Sequence, residues 1–480
     1  MKIKKIQENV YSLEKEGEMN ISPKIFANQK IINTLKTDLT KNQNNSLNQL
    51  KNLSSLPGLR GVIALADIHP GYGAPIGSAT ASDLKEGVIT FASTGFDINC
   101  GIHSLILPIS AKELDKKKKE FAEVLYKDIP AGVGVGGKLK LNSTQMDELL
   151  IGGAEYVVKK GYGEKKDLDF LEEKGRVKKI DVSSVSIKAK ERARDQIGTL
   201  GSGNHYCEVQ EIEQIFDSKS AKKFGLTKGG VFVSIHCGSR ALGHQIGSDY
   251  LSILDSAVKK YNIKINNRDL VCAPFDSEEG QKYFSAIKAG TNAALANRQV
   301  IGVLVKRSFE KVFGLSEDQV KTFYDVGHNT AKIEEHTFEG KKRKVLVQRK
   351  GSTRGFGPNS VDIPKQYSSV GQPVIVGGSM GTNSFILRGT KEAMNETFGS
   401  TIHGAGRSMS RSEAIKKISG GELLKKLYEK GIIVKAHSTK GLAEEAPTAY
   451  KNIIDVVGVM DSTNISKKVA KLKPIICIKG

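Results

Sequence analysis

The 480-residue chain has no tryptophan, an aromatic share of only 6% and just five cysteines. Those cysteines (Cys100, Cys207, Cys237, Cys272 and Cys477) are odd in number, widely spread and free of any C-x-x-C pair. That excludes a disulfide framework and points to a reduced, cytoplasmic protein. No apolar run approaches the ~20 residues needed to cross a bilayer. Met1-Lys-Ile-Lys-Lys-Ile leads into polar sequence rather than a signal-peptide core, so no membrane partner is expected. Acidic residues are also scarce: 52 Asp and Glu stand against 73 Lys and Arg, a formal charge of +21. Such an excess fits a polyanionic partner, although a lysine-rich proteome would account for part of it.

What the chain has in quantity is glycine, 50 residues of it, which implies many tight turns and loops that carry function. Short strand-like runs alternate with helical stretches, and chemistry-bearing motifs are strung along the chain from residue 60 to 480. Because they must meet at one site, we expect an α+β fold: a single large domain with central, mostly antiparallel sheets flanked by helices. Residues 1–57, with their Asn/Gln/Lys-rich run at 40–52, read as a helical and linker segment ahead of a catalytic domain over 58–480. The charged stretch 159–179 reads as a surface insertion.

The central motif is Phe96-Asp97-Ile-Asn-Cys100-Gly101. A carboxylate and a thiolate three residues apart among turn-formers have metal-ligand spacing, and a mixed hard and soft set suits borderline ions such as Mn²⁺ or Zn²⁺. A buried cysteine beside a turn-capping aspartate has the same pattern, so partners decide. They are found at His205 after a glycine-rich loop that includes Asn204, at His236 ending the strand-like Val231-Phe-Val-Ser-Ile, and at His328 after Phe323-Tyr-Asp-Val-Gly. His69 follows the buried-strand signal Val62-Ile-Ala-Leu-Ala-Asp67 and is placed near Cys100. Arg240 with His244, and the run Gln348-Arg-Lys350-Gly-Ser-Thr-Arg354, read as phosphate-facing basic elements, the second as a loop. Thr401-Ile-His403-Gly404-Ala405-Gly406-Arg407, followed by Arg411, fuses an imidazole to an anion cradle, the combination that phosphoryl transfer to histidine would need.

Taken in order, these motifs, together with Gly198-Thr-Leu-Gly-Ser-Gly-Asn204-His205 and Gly378-Ser379-Met-Gly-Thr382, resemble those of the RtcB-type RNA ligases. The resemblance implies that Asp97, Cys100, His205, His236 and His328 bind two Mn²⁺ ions, with Cys100 bridging, and that His403 is the nucleophile. It implies a guanine pocket at Glu208, Ser384, Tyr450 and Lys479. GTP phosphates would lie against Asn204, Ser379 and the loop Gly404, Ala405, Gly406, Arg407. RNA ends would be positioned by Arg240, Lys350, Arg354 and Arg411. The expected activity is GTP- and Mn²⁺-dependent joining of RNA 2′,3′-cyclic phosphate or 3′-phosphate ends to 5′-hydroxyl ends through a histidine–GMP intermediate. The expected partners are RNA (tRNA halves or broken RNA) and GTP, with room for an activating protein. Departures from the family pattern are His103 for arginine, Gln348 for histidine, Ser93-Thr94 for a more glycine-rich run, and Asp67-Ile-His-Pro for Asp-Gly-His-Gln. A metal-dependent phosphoesterase or an RNA-binding protein with a structural metal are the alternatives from the residues alone.

Overall fold

The computed structural model describes residues 1–480, with all side chains except those of Lys41, Thr439 and Lys440. Short β-branched and alanine-rich runs separated by Gly, Pro and Asx turns form two large sheets. One has the order Ile3–Gln7, Val10–Leu13, Lys24–Phe26, Leu59–His69, Ile76–Asp83, Lys341–Lys350, Asn329–Phe338. The other runs Lys321–Gly327, Gly101–Ser110, Gly230–Cys237, Tyr206–Ile215, Ser466–Lys479, Ser384–Gly389, Pro373–Val376, with Ile433–Ala436 alongside Ser466–Lys479. Pairing is antiparallel throughout these sheets except at Lys24–Phe26 with Leu59–His69 and Ile433–Ala436 with Ser466–Lys479. The α+β class expected from the sequence is the class observed.

The helix Glu278–Phe313 begins at a Ser277 cap, whose side chain accepts from Gly280 N–H, and ends at left-handed Gly314. At 36 residues it is about 54 Å long, with its central stretch buried. Its Arg298 makes a two-pronged ion pair with Asp325 (2.7 and 2.9 Å) and donates to the carbonyls of Asn99 (2.6 Å) and Cys237 (3.0 Å). One guanidinium thus ties together the backbone beside Cys100, the backbone beside His236 and the strand leading to His328. Breaking such a buried pair costs about 3–5 kcal/mol, so the three segments are strongly held. His103, one of the departures, is also buried here and meets Asp325 Oδ2 at 3.1 Å.

Three sequence expectations are corrected. Residues 1–57 contain the expected helix, at Gln29–Lys41, but the rest is not a linker: three strands of the segment extend the first sheet, and Ser46–Leu53 is a second helix with Ser46, Leu47, Gln49 and Leu50 buried. The 348–355 stretch is no loop, since Arg349 and Lys350 end a strand and Arg354 lies in another. Both arginines are buried in ion pairs, Arg349 with Glu334 (2.6 Å) and Arg354 with Glu172 (3.2 Å). Nor is 159–179 a surface insertion, because Asp167 pairs with buried Lys306 of the long helix (3.1 Å) and Glu172 accepts from Gly327 N–H.

Candidate metal and nucleotide site

Sheet register brings the donors together. Gly101 lies opposite both Cys237 and Gly327, and His236 lies opposite both Ile102 and Tyr206. Residues just outside these strand ends therefore collect at one edge of the sheet. The loop carrying Asp97 and Cys100 is closed by Cys100 N–H donating to Asp97 O (3.0 Å), and His328 N–H donates to Cys100 O (2.7 Å).

Cys100 Sγ lies 3.2 Å from His236 Nε2 and 3.4 Å from His205 Nε2. His236 Nε2 is 3.3 Å from His328 Nε2, and His205 Nε2 is 2.8 Å from Asp97 Oδ2. The other ring nitrogens face carbonyls: His205 Nδ1 is 3.0 Å from Leu200 O, and His236 Nδ1 is 3.2 Å from Asn204 O. With Nδ1–H donating there, both Nε2 lone pairs point inward, as in metal-ligating histidines. Lone pairs on nitrogen, sulfur and oxygen then face one another at contact distance, an arrangement that a cation relieves. The donors form two triads, Cys100/His236/His328 and Asp97/Cys100/His205, that share the thiol. This shared donor set is compatible with metal binding.

Burial sets the protonation states in the absence of an ion. It pushes His236 and His328 well below the ordinary histidine value, so both are neutral, and pushes the Cys100 thiol well up, with Asp97 adding to the effect. Burial would also raise the Asp97 carboxyl, but His205, Cys100 and Arg240 together outweigh it and hold the carboxyl below its usual range.

His403 follows the strand Ser400–Ile402. Its backbone N–H and its Nδ1 both reach Asp67 Oδ2, at 2.9 and 2.7 Å. The carboxylate keeps the ring proton on Nδ1 and leaves the Nε2 lone pair available. The ring lies 4.8 Å, centroid to centroid, from that of His328 and 6.4 Å from that of His69. Burial lowers the His69 pKa to about 3, so it stays neutral beside the nucleophile candidate. The loop after His403 crosses directly over Asp67: a Cβ at Gly406, whose φ is +72°, would lie 2.1 Å from Asp67 O. Only glycine permits that crossing.

These groups share a cleft of about 890 Å³. Asp97, Cys100, His236, His328 and His403 line it, and so do Asn204, Ser379 and the residues from Gly404 to Arg407. Glu208, Tyr450 and Lys479 line another part, with Lys350 and Arg411 also present. Arg407 donates to Glu445 (3.2 Å) and to Tyr450 Oη (3.2 Å), and its guanidinium lies over the Tyr450 ring. Glu208 accepts from Gln210 at 2.6 Å, and burial raises its carboxyl pKa from 4.5 to about 7. Ser384 is not on the cleft surface; its Oγ accepts from Gly378 N–H (3.0 Å) and so braces the turn that carries Ser379. His205 stands behind Asp97, and Arg240, with φ at +57°, reaches Thr199 and the His205 ring rather than the cleft itself. Arg354 is buried away from it.

Asp67 and Lys451 were assigned no role from the sequence. The Lys451 ammonium donates to the carbonyls of Ala66 and Ile68, on either side of Asp67. The available signals were a strand ending in a carboxylate and a lysine directly after Tyr450. The departures also find partners: Gln348 exchanges two hydrogen bonds with the Thr90 backbone and donates to Thr94 Oγ1 (3.0 Å), so two changes from the family pattern contact each other.

Fold and donor set together define the class, an α+β protein built around a metal-capable cleft. The chain belongs to the RtcB family: a profile described as tRNA-splicing ligase RtcB matches residues 49–480. It is 44% identical to a protein of that name from Archaeoglobus fulgidus, over 100% of this chain and 99% of the relative. Identity to that of Thermococcus kodakarensis is 45% (100% and 98%), and to that of Nanoarchaeum equitans 42% (100% of both). Among the described residues no helix is long and apolar enough to cross a membrane.

Proposed function

We propose that this protein is a cytoplasmic RNA ligase that uses GTP and Mn²⁺ to join 2′,3′-cyclic phosphate or 3′-phosphate ends to 5′-hydroxyl ends, as in tRNA splicing or RNA repair. The observation that carries the reading is the Asp67–His403 pair, which leaves one imidazole lone pair free beside the shared donor cluster. Cys100, His205, His236, His328 and Asp97 would hold the ions. When bound, two divalent cations would offset charge on phosphoryl oxygens and on the departing pyrophosphate. The mixed thiolate, imidazole and carboxylate set supports a borderline ion such as Mn²⁺.

His403 Nε2 attacks the α-phosphorus of GTP; a P–N bond forms, the α–β P–O bond breaks and pyrophosphate leaves. Asp67 holds the Nδ1 proton and stabilises the positive ring that results. A 2′,3′-cyclic end is first opened by water to a 3′-phosphate. An oxygen of that phosphate then attacks the His-bound phosphorus, breaking the P–N bond and giving an RNA end capped by GMP. The 5′-hydroxyl attacks the RNA phosphorus, loses its proton and expels GMP. Glu208 would accept from guanine N–H groups and, with Lys479, would favour a purine with guanine's hydrogen-bond pattern, while Asn204, Ser379 and the Gly404 to Arg407 backbone would hold phosphates. The five cysteines, all free and buried, support a reducing compartment.

The test is incubation with α-labelled GTP and Mn²⁺, with ATP and His403→Ala as controls. Acid-labile, alkali-stable label that needs GTP and His403 is expected. Hydrolysis of RNA phosphate ends with no label on the protein would overturn the reading in favour of a phosphoesterase.

A further inference from the structure

In a chain with so few aromatic residues, two of them stand side by side at the cleft, with a histidine ring packed against one. Tyr72 is 39% exposed, and both it and Phe96 line the cleft next to the ligand candidate Asp97. The Tyr72 ring meets Phe96 edge-on at 6.1 Å, and Phe96 stacks on exposed His244 at 4.9 Å with 23° between planes. Below them buried Phe91 contacts Tyr72 at 5.7 Å and Phe96 at 4.7 Å. The row is fixed in place. Lys350 donates to the Tyr72 carbonyl at 2.6 Å, and burial together with the nearby Asp269 carboxylate raises the Tyr72 hydroxyl pKa. Gly247 of the helix Arg240–Lys260 makes room for it, since a Cβ there would lie 2.7 Å from Phe91 and 2.8 Å from Phe96. A core needs no exposed, anchored tyrosine at the rim of a phosphate-handling cleft. Flat rings preorganised beside basic groups are, however, how proteins hold unpaired bases irrespective of sequence.

We propose that Tyr72, with Phe96 and His244, forms a stacking shelf for an unpaired nucleobase at an RNA end, so that the adjoining phosphate or hydroxyl is presented to the donor cluster. The proposal rests on the RNA-ligase reading. It assigns no base identity, because every base has a face to stack and the shelf presents few groups that could read an edge.

The test measures RNA binding by anisotropy with the full chain and no GTP, so that nothing turns over. The probes are a strand ending in a 3′-phosphate and a strand beginning with a 5′-hydroxyl, each with an ordinary or an abasic terminal nucleotide. For one of the strands, Tyr72→Leu is expected to weaken binding roughly 5- to 150-fold, and Tyr72→Phe to restore most of it. Removing the terminal base should weaken wild-type binding comparably and should add nothing to Tyr72→Leu. The strand that responds identifies the end that stacks. Equal binding of ordinary and abasic strands by the wild type overturns the proposal, and this comparison decides the matter even if Tyr72→Leu proves unstable. A Tyr72→Leu loss that is the same for abasic RNA also overturns it. GTP labelling of His403 and strand joining by the wild type test the ligase reading separately, so either idea can fail alone.

Discussion

Replacing Asp67 tests the nucleophile's geometry directly. One oxygen, Oδ2, accepts both the backbone N–H and the Nδ1–H of His403, whereas Oδ1 finds no hydrogen-bond partner among the described residues. Asp67→Ala removes a charged acceptor from two donors. Hydrogen bonds to charged groups contribute about 1.5–3 kcal/mol. If that orientation reaches the transition state, single-turnover labelling at saturating GTP should slow by about 10- to 150-fold. Asp67→Asn should be milder. An amide nitrogen turned towards His403 would face two N–H groups, so the backbone N–H forces the amide oxygen into the Oδ2 position and the correct tautomer survives. We expect a loss within about tenfold, the difference between a charged and a neutral acceptor. The assay is quenched-flow incorporation of α-labelled GTP, with GTP affinity measured separately. Wild-type rates in Asp67→Ala, or a larger defect in Asn than in Ala, would refute the reasoning.

Other outcomes follow from the same geometry. The Glu208 carboxyl, raised to about 7, is charged at pH 8 and increasingly neutral below 7, so GTP affinity should fall by up to about tenfold per pH unit there, and calorimetric titrations of Glu208→Gln should show that dependence flattened. Without GTP the same group favours the folded state at low pH: the folded protein keeps a proton that the unfolded chain releases near 4.5, so its contribution declines as pH rises from about 4.5 to 7, visible in denaturant titrations. Arg354→Ala should destabilise the fold by about 1–3 kcal/mol, less than a true orphaning, because Glu172 keeps its ion pair with Lys332 (2.8 Å) and the Gly327 N–H, whereas Arg411→Ala, at a half-exposed side chain, should weaken RNA binding with no shift in melting temperature. Metal titration of chelator-stripped protein at pH 7 should release a proton from the Cys100 thiol, detectable with an indicator dye, and Cys100→Ala should abolish that release.

The site was more legible than its frame. Asp97, Cys100, His205, His236 and His328 each stand next to a strand with small residues nearby, a local pattern, and antiparallel register then brings such strand ends to one edge. The first 57 residues were misread because Ile3–Gln7 exposes most of its side chains, and because the polar run conceals burial: Gln49 is inside, exchanging hydrogen bonds with the backbone of Gly71. Arg349 and Arg354 read as part of a phosphate-facing loop because their partners, Glu334 and Glu172, become neighbours only in the folded chain. The wall of the cleft formed by Ile31, Thr34 and Leu35 of the helix Gln29–Lys41 had no signal, since an amphipathic helix does not announce which cavity it borders.

The strand Ser466–Lys479 lies between Tyr206–Ile215 and Ser384–Gly389, and its far end also pairs with Ile433–Ala436. On one side of it are the strands that carry the donor cluster; on the other is the turn bearing Ser379. During synthesis those two halves wait with open edges until residue 479 emerges, because no other strand pairs with both. A polypeptide ending before this strand would keep the donor-bearing strands paired with one another but would lack the strand that joins them to the one leading from the Ser379 turn.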